Sequence, residues 1–451
     1  MRPPPPTTPA AEDLFRNRLT NLIDTRHELV RLAALVDWSR FDHAYGTLYA
    51  ERGRPGLPTR LMVGLHLLKH MKGLSDEQVC AQWRENPYFQ AFCGETYFQH
   101  ALPLDRSSMS RWRGRVGPDK LEAVLAETIA AAMKGGAMQP KHVERVTIDT
   151  TVQTKAVAHP TDSHLLYRGI EWLNRLAKRS GIALRQSFLR LGKFAQREVG
   201  RLIHTGARKQ AMRHLRKLRT FLGRLHRDVG RKLEDQPLLR EMCRETMDRI
   251  ARLLAQKKDD KHKLYALHAP EVECIGKGKA RVKWEFGVKA SFAVTNARAP
   301  GGEFVLGARA CPGNPYDGHT LKAQLDQVER LTGQSVARAY VDLGYRGHDA
   351  TGGHTEVYIS RQRNLPSPTI RRELRRRAAI EPVIGHLKSD GLLDRSQLAG
   401  QCGDASNIIL AAAGHNLRLI LAWLRSFCLW LISVLFAVNQ FPPDLISDHA
   451  I

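Results

Sequence analysis

Three acidic residues stand out by type and setting. Asp149 falls in the middle of VERVTIDTTVQ, a β-branched run bounded by polar residues that reads as a buried strand over Glu144 to Gln153. Burying an ionised carboxylate there costs several kcal/mol unless it is paired or binds a metal, so Asp149 either caps a neighbouring turn or serves as a ligand. Asp342 closes the run VARAYVD, and Glu381 lies in a basic helix expected from about Ile370 through Lys388. If these three carboxylates converge, a divalent cation is needed to offset their repulsion, and hard oxygen ligands favour Mg2+ or Mn2+. Two such ions about 4 Å apart can activate a water or a 3′-hydroxyl and stabilise the leaving oxygen of a phosphodiester.

Convergence depends on the elements that carry the acids. From Ala11 to about Lys134 apolar residues recur three and four apart, as in TRLMVGLHLLKHMKG and DKLEAVLAETIAAAMKGG, which predicts helices broken near Gly56, Pro58, Gly73 and Pro103. Thr59 to Trp83 reads as a helix, a turn at GLS and a second helix from Asp76. This is the spacing of a helix-turn-helix, and equally that of an amphipathic bundle with a basic face. LDRSSMSRWRGRVG offers Asp105 or Ser107 as the N-cap of a short helix exposing Arg111, Arg113 and Arg115 beside Trp112. After the Asp149 strand comes a long helical block. Between Arg175 and Lys232 it carries 18 Lys or Arg and only two acids, Glu198 and Asp228. A solvated coiled-coil face would interleave the two signs, whereas a one-signed wall suits phosphate backbones. Strands then return at RVKWEFGVKASFAVT (Arg281 to Thr295) and EFVLGARAC (Glu303 to Cys311), joined by ARAPGG. GNPYDGHTLKAQLDQVERLTG gives a loop and helix, and EVYIS a last strand ending at Ser360.

The charge balance narrows the partner. With 70 Lys+Arg against 45 Asp+Glu in 451 residues, the formal net charge is +25, which excludes a neutral metabolic enzyme as the default. The 43% of hydrophobic residues is ample for folded cores, so the basicity sits on folded surfaces. Nucleic acid is the expected polyanion, ahead of an anionic membrane or an acidic protein. The seven cysteines are scattered singly, which supports neither a disulfide framework nor a cysteine zinc site. The opening MRPPPPTTPAAEDLF lacks the pattern of a secretory signal, so the expected location is cytoplasmic and nucleoid-associated. Phe427 to Val438 gives 12 uncharged residues, short of the roughly 18–20 needed to cross a bilayer, and predicts a buried or dimer-facing helix and no membrane partner.

With the helical block set aside, the element order is that of the ribonuclease H (RNase H) fold, in which the middle of the first strand and the end of the fourth lie side by side. A late helix brings a third acid over them. The sequence also resembles the DDE transposases of bacterial insertion sequences, in particular the insertion sequence five group, over about 50–425. The matching segments are RGRPGLPTRLMVGLHLLKHMKGLSDEQV, IDTTVQ with HPTDSHLL, GNPYDGHTL, VDLGYRG and IEPVIGHLKSDGLLDR. The resemblance implies Asp149, Asp342 and Glu381 as catalytic ligands of two Mg2+ ions, with Mn2+ able to substitute. It further implies hydrolysis at element ends followed by 3′-OH strand transfer into target DNA. A nuclease of the same fold without strand transfer, or an inactive DNA-binding remnant, are the competing readings. The expected fold is α/β: an RNase H-like catalytic domain with a helical insertion between its first and second strands, preceded by an all-α amino-terminal domain. The expected boundaries are a lead-in over 1–12, a helical DNA-binding domain over 13–138, the catalytic domain over 139–162 and 268–425, the basic insertion over 163–267, and an apolar helix and tail over 426–451.

The family's last motif places tyrosine, arginine, glutamate and lysine at fixed spacing. Arg377, Glu381 and Lys388 match it, and Leu374 takes the tyrosine position, so a hairpin or flipped-base step would lack that tyrosine. The resemblance implies that the arginine and lysine hold end phosphates, and Arg377, one helical turn before Glu381, can fork onto a phosphate there. Some relatives carry an insertion between the second Asp and the Glu; here 38 residues separate those two and 192 separate the first pair. The helical insertion is expected to clamp DNA through Arg213, Arg216, Lys217 and Arg219. Arg346 in GYRG is a further phosphate candidate. Asp317 is read as a helix N-cap in preference to an approach, with His319, to the metals; His386 as a contact to DNA or to a carboxylate behind the metal ligands, or equally as a packed histidine. Pairing two DNA ends predicts a homodimer or higher assembly.

Overall fold

The computed structural model describes residues 17–49, 56–257, 259–276, 283–361 and 367–438, with side chains to 426. The expected lead-in over 1–12, most of the RGRPG stretch and the tail from 439 lie outside the described residues, as do the side chains of Phe427 to Val438. The protein is mixed α/β, and its chain divides into two compact units, 1–153 with 289–451, and 154–288.

In the first unit, helices α1 (Leu19–Leu22), α2 (Glu28–Leu35), α3 (Ser39–Tyr45), α4 (Thr59–Lys72), α5 (Asp76–Glu85), α6 (Pro87–Phe92) and α7 (Ser107–Lys134) precede the first strand. All of α4 except Arg60 and Lys72 is buried, which makes it a core helix and not a surface one. Gly73 ends it at φ 65, a left-handed position that favours glycine. Ser75 then caps α5: its hydroxyl accepts from Gln78 N at 3.1 Å while Ser75 N donates to Gln78 Oε1 at 2.9 Å. The helix break expected at GLS is therefore present. The short helix expected after Asp105 or Ser107 is the first limb of α7, which kinks at Gly117 (φ 73) ahead of Pro118. Strand β1 (Arg145–Thr154) follows.

The second unit is built from α8 (Asp162–Arg179), α9 (Leu189–His204), α10 (Arg208–Leu233) and α11 (Pro237–Ala255). Leu165, Leu166, Ile170, Leu173, Leu218, Leu222, Ile250 and Leu253 form its core. Gly169 of α8 permits the close packing: a methyl group there would lie 3.0 Å from Leu222 and 3.1 Å from Ile250. Strand β2 (Glu273–Gly276), which has no counterpart in the sequence reading, pairs antiparallel with Trp284–Gly287 at the start of β3 (Trp284–Thr295). ECIG is too short and too polar to announce a strand by pattern.

The rest of the first unit completes the sheet with β4 (Val305–Cys311), β5 (Arg338–Val341) and β6 (Glu356–Ile359), and with helices α12 (Leu321–Thr332), α13 (Pro368–Arg375), α14 (Ile380–Ser389) and α15 (Gly400–Val438). β1 is central: β3 lies on one side, with β4 antiparallel to it, and β5 then β6 lie parallel on the other. Asn296 N donates to Arg145 O at 2.9 Å, joining the end of β3 to the start of β1 in the antiparallel sense. Buried on both faces, β5 reads as the unbroken apolar run AYV. The terminal helix begins at Gly400, well before Phe427, and packs on α2, α4, α7 and β4. Its Gly400–Ser426 part is long and apolar enough to cross a membrane, yet 78% of that window is buried in the fold, the condition of a core helix.

Candidate functional site

The parallel register sets two acids side by side. Thr147 of β1 lies opposite Tyr340 of β5. Two residues further along each chain come Asp149 and Asp342, so both leave the same face of adjacent strands, which in any sheet run about 4.8 Å apart. The Asp342 backbone is still extended (φ −83, ψ −178) before a short 3-10 turn over Leu343–Tyr345, and its Oδ1 accepts from Gly344 N at 2.7 Å. Asp149 Oδ1 accepts from Thr150 N at 2.7 Å, and its Oδ2 lies 4.0 Å from Arg377 Nη1.

Asp317 joins them, contrary to its expected role as an N-cap. The 3-10 turn it begins has no side-chain cap. Its Oδ1 instead accepts from Thr150 Oγ1 at 2.9 Å and from Lys289 Nζ at 2.9 Å. Tyr345 is wholly buried beside these acids, and its hydroxyl makes no hydrogen bond among the described residues. Burial, with the negative charges of Asp149, Asp317 and Asp342, pushes its ionisation well above the ordinary tyrosine range, so it stays a protonated donor. The pattern GNPYDGHTL admits both roles for Asp317; only the reach of Thr150 and Lys289 across the sheet decides between them.

Glu381 stands in the first turn of α14, exposed. Among the described residues no group of three or more His, Cys, Asp or Glu is gathered so as to hold a metal ion. Asp149 and Asp342 are hard oxygen donors of the kind a divalent cation takes, but no third acid is gathered with them so as to hold an ion among the described residues. Leu374, at the family's tyrosine position, is half-buried against Tyr340, Tyr358 and Ile370.

The basic candidates separate into surface and interior. Arg111, Arg346, Arg213, Arg216, Lys217 and Arg219 are exposed, and Lys388 is half-buried. Arg219 also donates to Leu254 O at 2.7 Å and Gln256 O at 3.1 Å, capping the end of α11. Arg113 is a correction. Its side chain is 5% exposed and forks onto Asp76, at 3.0 and 2.6 Å, with Lys69 Nζ at 2.7 Å from the same carboxylate. An alternation of arginines on α7 does not show that one of them faces α4 and α5. His386 is exposed and pairs with Asp390 at 2.8 Å.

A second buried network braces β1 and β5 near the site. Glu373 of α13 accepts from Arg145 at 2.7 Å and from the Tyr340 hydroxyl, with Arg338 at 3.4 Å. Burial opposes ionisation, but the Tyr340 and Arg145 hydrogen bonds prevail and hold the Glu373 carboxyl below its usual range. RRELRRR reads as a charge run, and nothing in that pattern singles out its one acid as buried.

The class follows from the amino-terminal helices. Residues 17–115 match a family model described as a transposase domain, DUF772, which supports a transposase of insertion sequences. The chain belongs to one family with the Rhizobium meliloti protein described as "Uncharacterized protein ORF8 in nfe locus", to which it is 51% identical over 204 residues, 45% of this chain and 98% of that protein. No solved structure matches.

Proposed function

We propose that this protein is a DDE transposase of the insertion sequence five group: it cuts phosphodiester bonds at the ends of its mobile element and joins the freed ends to target DNA. The observation that carries this reading is the placement of Asp149 and Asp342 at one level on adjacent parallel strands, with the transposase-type helices in the same compact unit. The strand order β4-β3-β1-β5-β6 supports an RNase H-like reading of the sheet. Asp149, Asp342 and Glu381 are the residues proposed to hold Mg2+, or Mn2+ in its place. Such ions, when bound, lower the pKa of water and neutralise charge on the phosphate.

The chain's own groups then orient the DNA. Arg377, whose guanidinium lies beside Asp149, can donate to the scissile phosphate and hold it in line. Water attacks phosphorus, the bond from phosphorus to the 3′ oxygen breaks, and that oxygen leaves as a 3′-hydroxyl on the element end. The hydroxyl then attacks a target phosphodiester, forming one such bond as another breaks, so no external energy source is needed. Exposed Arg111, Arg346 and the α10 bases are proposed to hold backbone phosphates. Pairing of two ends calls for at least a dimer. Incubating the protein with DNA bearing element ends and Mg2+ tests the reading: the wild type is expected to nick and join, and Glu381→Gln to do neither. Equal cleavage by Glu381→Gln overturns the assignment of Glu381, and cleavage without joining leaves a nuclease.

A further inference from the structure

The segment HPTDSHLL takes no part in the proposed chemistry, yet the second unit gives it a place. Thr161 caps α8, its hydroxyl accepting from His164 N at 3.3 Å, and Pro160, His164 and Leu165 line a cavity of about 370 Å³. Residues 265–268 line it as well. Both parts of the wall are held in place: buried Lys155 pairs with buried Glu271 at 2.8 Å, and Arg249 donates to Leu267 O at 2.9 Å. The lining is aromatic and of one sign. Trp172 and Tyr265, both half-buried, bring ring surface to it, and among the described residues no acid lines it. Arg168, Trp172 and Arg175 fall at i, i+4 and i+7 of α8, one stripe of the helix, so a guanidinium stands about a turn to either side of the indole. Arg168 meets Glu171 at 2.7 Å on the surface, an exposed pair that a phosphate can displace. The indole N–H and the imidazoles of His164 and His268 make no hydrogen bond among the described residues, which leaves polar groups free at the cavity.

We propose that this cavity receives an unpaired nucleobase of a DNA strand, stacked on Trp172, with Arg168 and Arg175 on the phosphates that flank it. A base within a duplex is paired and stacked and cannot enter, whereas an unpaired one offers two π faces to aromatic side chains and a polar edge to hydrogen-bonding groups. The volume stands at the lower end of the range for small-ligand sites, about 300–1,000 Å³, as a single base requires. The proposal rests on DNA as the partner and not on the assignment of Asp149, Asp342 and Glu381.

Fluorescence anisotropy of a labelled oligothymidylate and of a duplex of equal length, each titrated with the full-length protein, tests it. Trp172→Ala is expected to weaken single-strand binding about tenfold and to leave duplex binding within about twofold, and Trp172→Phe to retain most of the affinity. Ala158→Trp, which fills the cavity from an exposed position on its wall and removes nothing from the core, is expected to act like Trp172→Ala. Arg168→Gln with Arg175→Gln should flatten the single-strand salt slope by roughly 0.7 for each phosphate no longer neutralised. Single-strand binding unchanged in Ala158→Trp, or equal losses on single strand and duplex, overturns the proposal and leaves DNA as the partner. Thymidine monophosphate competing as well as the oligomer assigns the cavity to a free nucleotide and overturns it too. A wild type that binds neither form of DNA overturns both this proposal and the reading on which it rests.

Discussion

Arg113 and Asp76 form a two-point ion pair inside the amino-terminal helices, with guanidinium nitrogens 3.0 and 2.6 Å from the two carboxylate oxygens. Lys69 and His66 close around it, at 2.7 Å from Asp76 and 3.1 Å from Arg113 respectively. Removing Arg113 leaves Asp76 held by Lys69 alone and loses the charge-assisted hydrogen bonds of the pair, about 1.5–3 kcal/mol. Arg113→Ala should lower unfolding free energy in urea by that amount, whereas Arg111→Ala, on the exposed face of the same helix, should leave it within about 0.5 kcal/mol. Similar stabilities for the two variants would show that the pair is not structural.

Gly344 leaves room beside the Asp342 and Asp317 carboxylates. Its backbone is not left-handed, so alanine is tolerated by the chain, but the added methyl would lie 3.0 Å from Asp342 Oδ1 and 3.3 Å from Asp317 Oδ2. The carboxylates must yield. At these separations the oxygens need give only a few tenths of an ångström, less than the ~1 Å misplacement that can cost ~10²-fold in rate. Gly344→Ala should therefore cleave element-end DNA severalfold more slowly with little change in melting temperature, measured side by side.

What could be read from sequence was what periodicity and turn chemistry encode. The β-branched run around Asp149, the GLS break before the helix from Asp76, and the apolar run ending at Asp342 all lie within a few residues of where the structure has them. What could not be read depends on which face meets which neighbour. Arg113 and Arg111 are alike in a helical pattern, and only packing against α4 and α5 makes one of them interior. Asp317 next to a helix start looks like a cap until Lys289, on a strand 28 residues earlier, reaches it. Glu373 sits in a run of arginines, and its burial is decided by Arg145 and Tyr340, far away in sequence.

Acid should destabilise the first unit before its carboxylates titrate. Burial, reinforced by Arg113, holds His66 down to about 3; burial and Lys69 keep His70 well below its ordinary value; burial and Arg418 hold His415 down to about 4. All three are neutral in the folded chain at pH 6. As pH falls below about 6.5 the unfolded chain takes up protons that the native chain refuses, so stability drops by roughly 1.4 kcal/mol per pH unit for each histidine. The loss contributed by His415 ends near pH 4, and that of His66 continues to about pH 3. Urea midpoints taken from pH 7 to pH 4.5 should fall steeply, and less steeply for His415→Gln. A flat profile across that interval would refute the buried neutral state.

The one-signed surface of α10 should show itself in salt dependence. Arg213, Arg216 and Lys217 are exposed there without ion pairs to acids of their own helix, whose Asp228 is engaged by Lys232 at 3.2 Å. Each phosphate of duplex DNA that a basic side chain neutralises contributes roughly 0.9 to the slope of log K against log salt. Reversing the three charges to glutamate should weaken binding to any duplex sequence alike and flatten that slope by about 0.9 for every phosphate no longer neutralised. The core of the second unit, formed by Leu218, Leu222 and their neighbours on the opposite stripe, is untouched by these changes, so circular dichroism should be unaltered. A triple variant with wild-type affinity and slope would place the DNA elsewhere on the molecule.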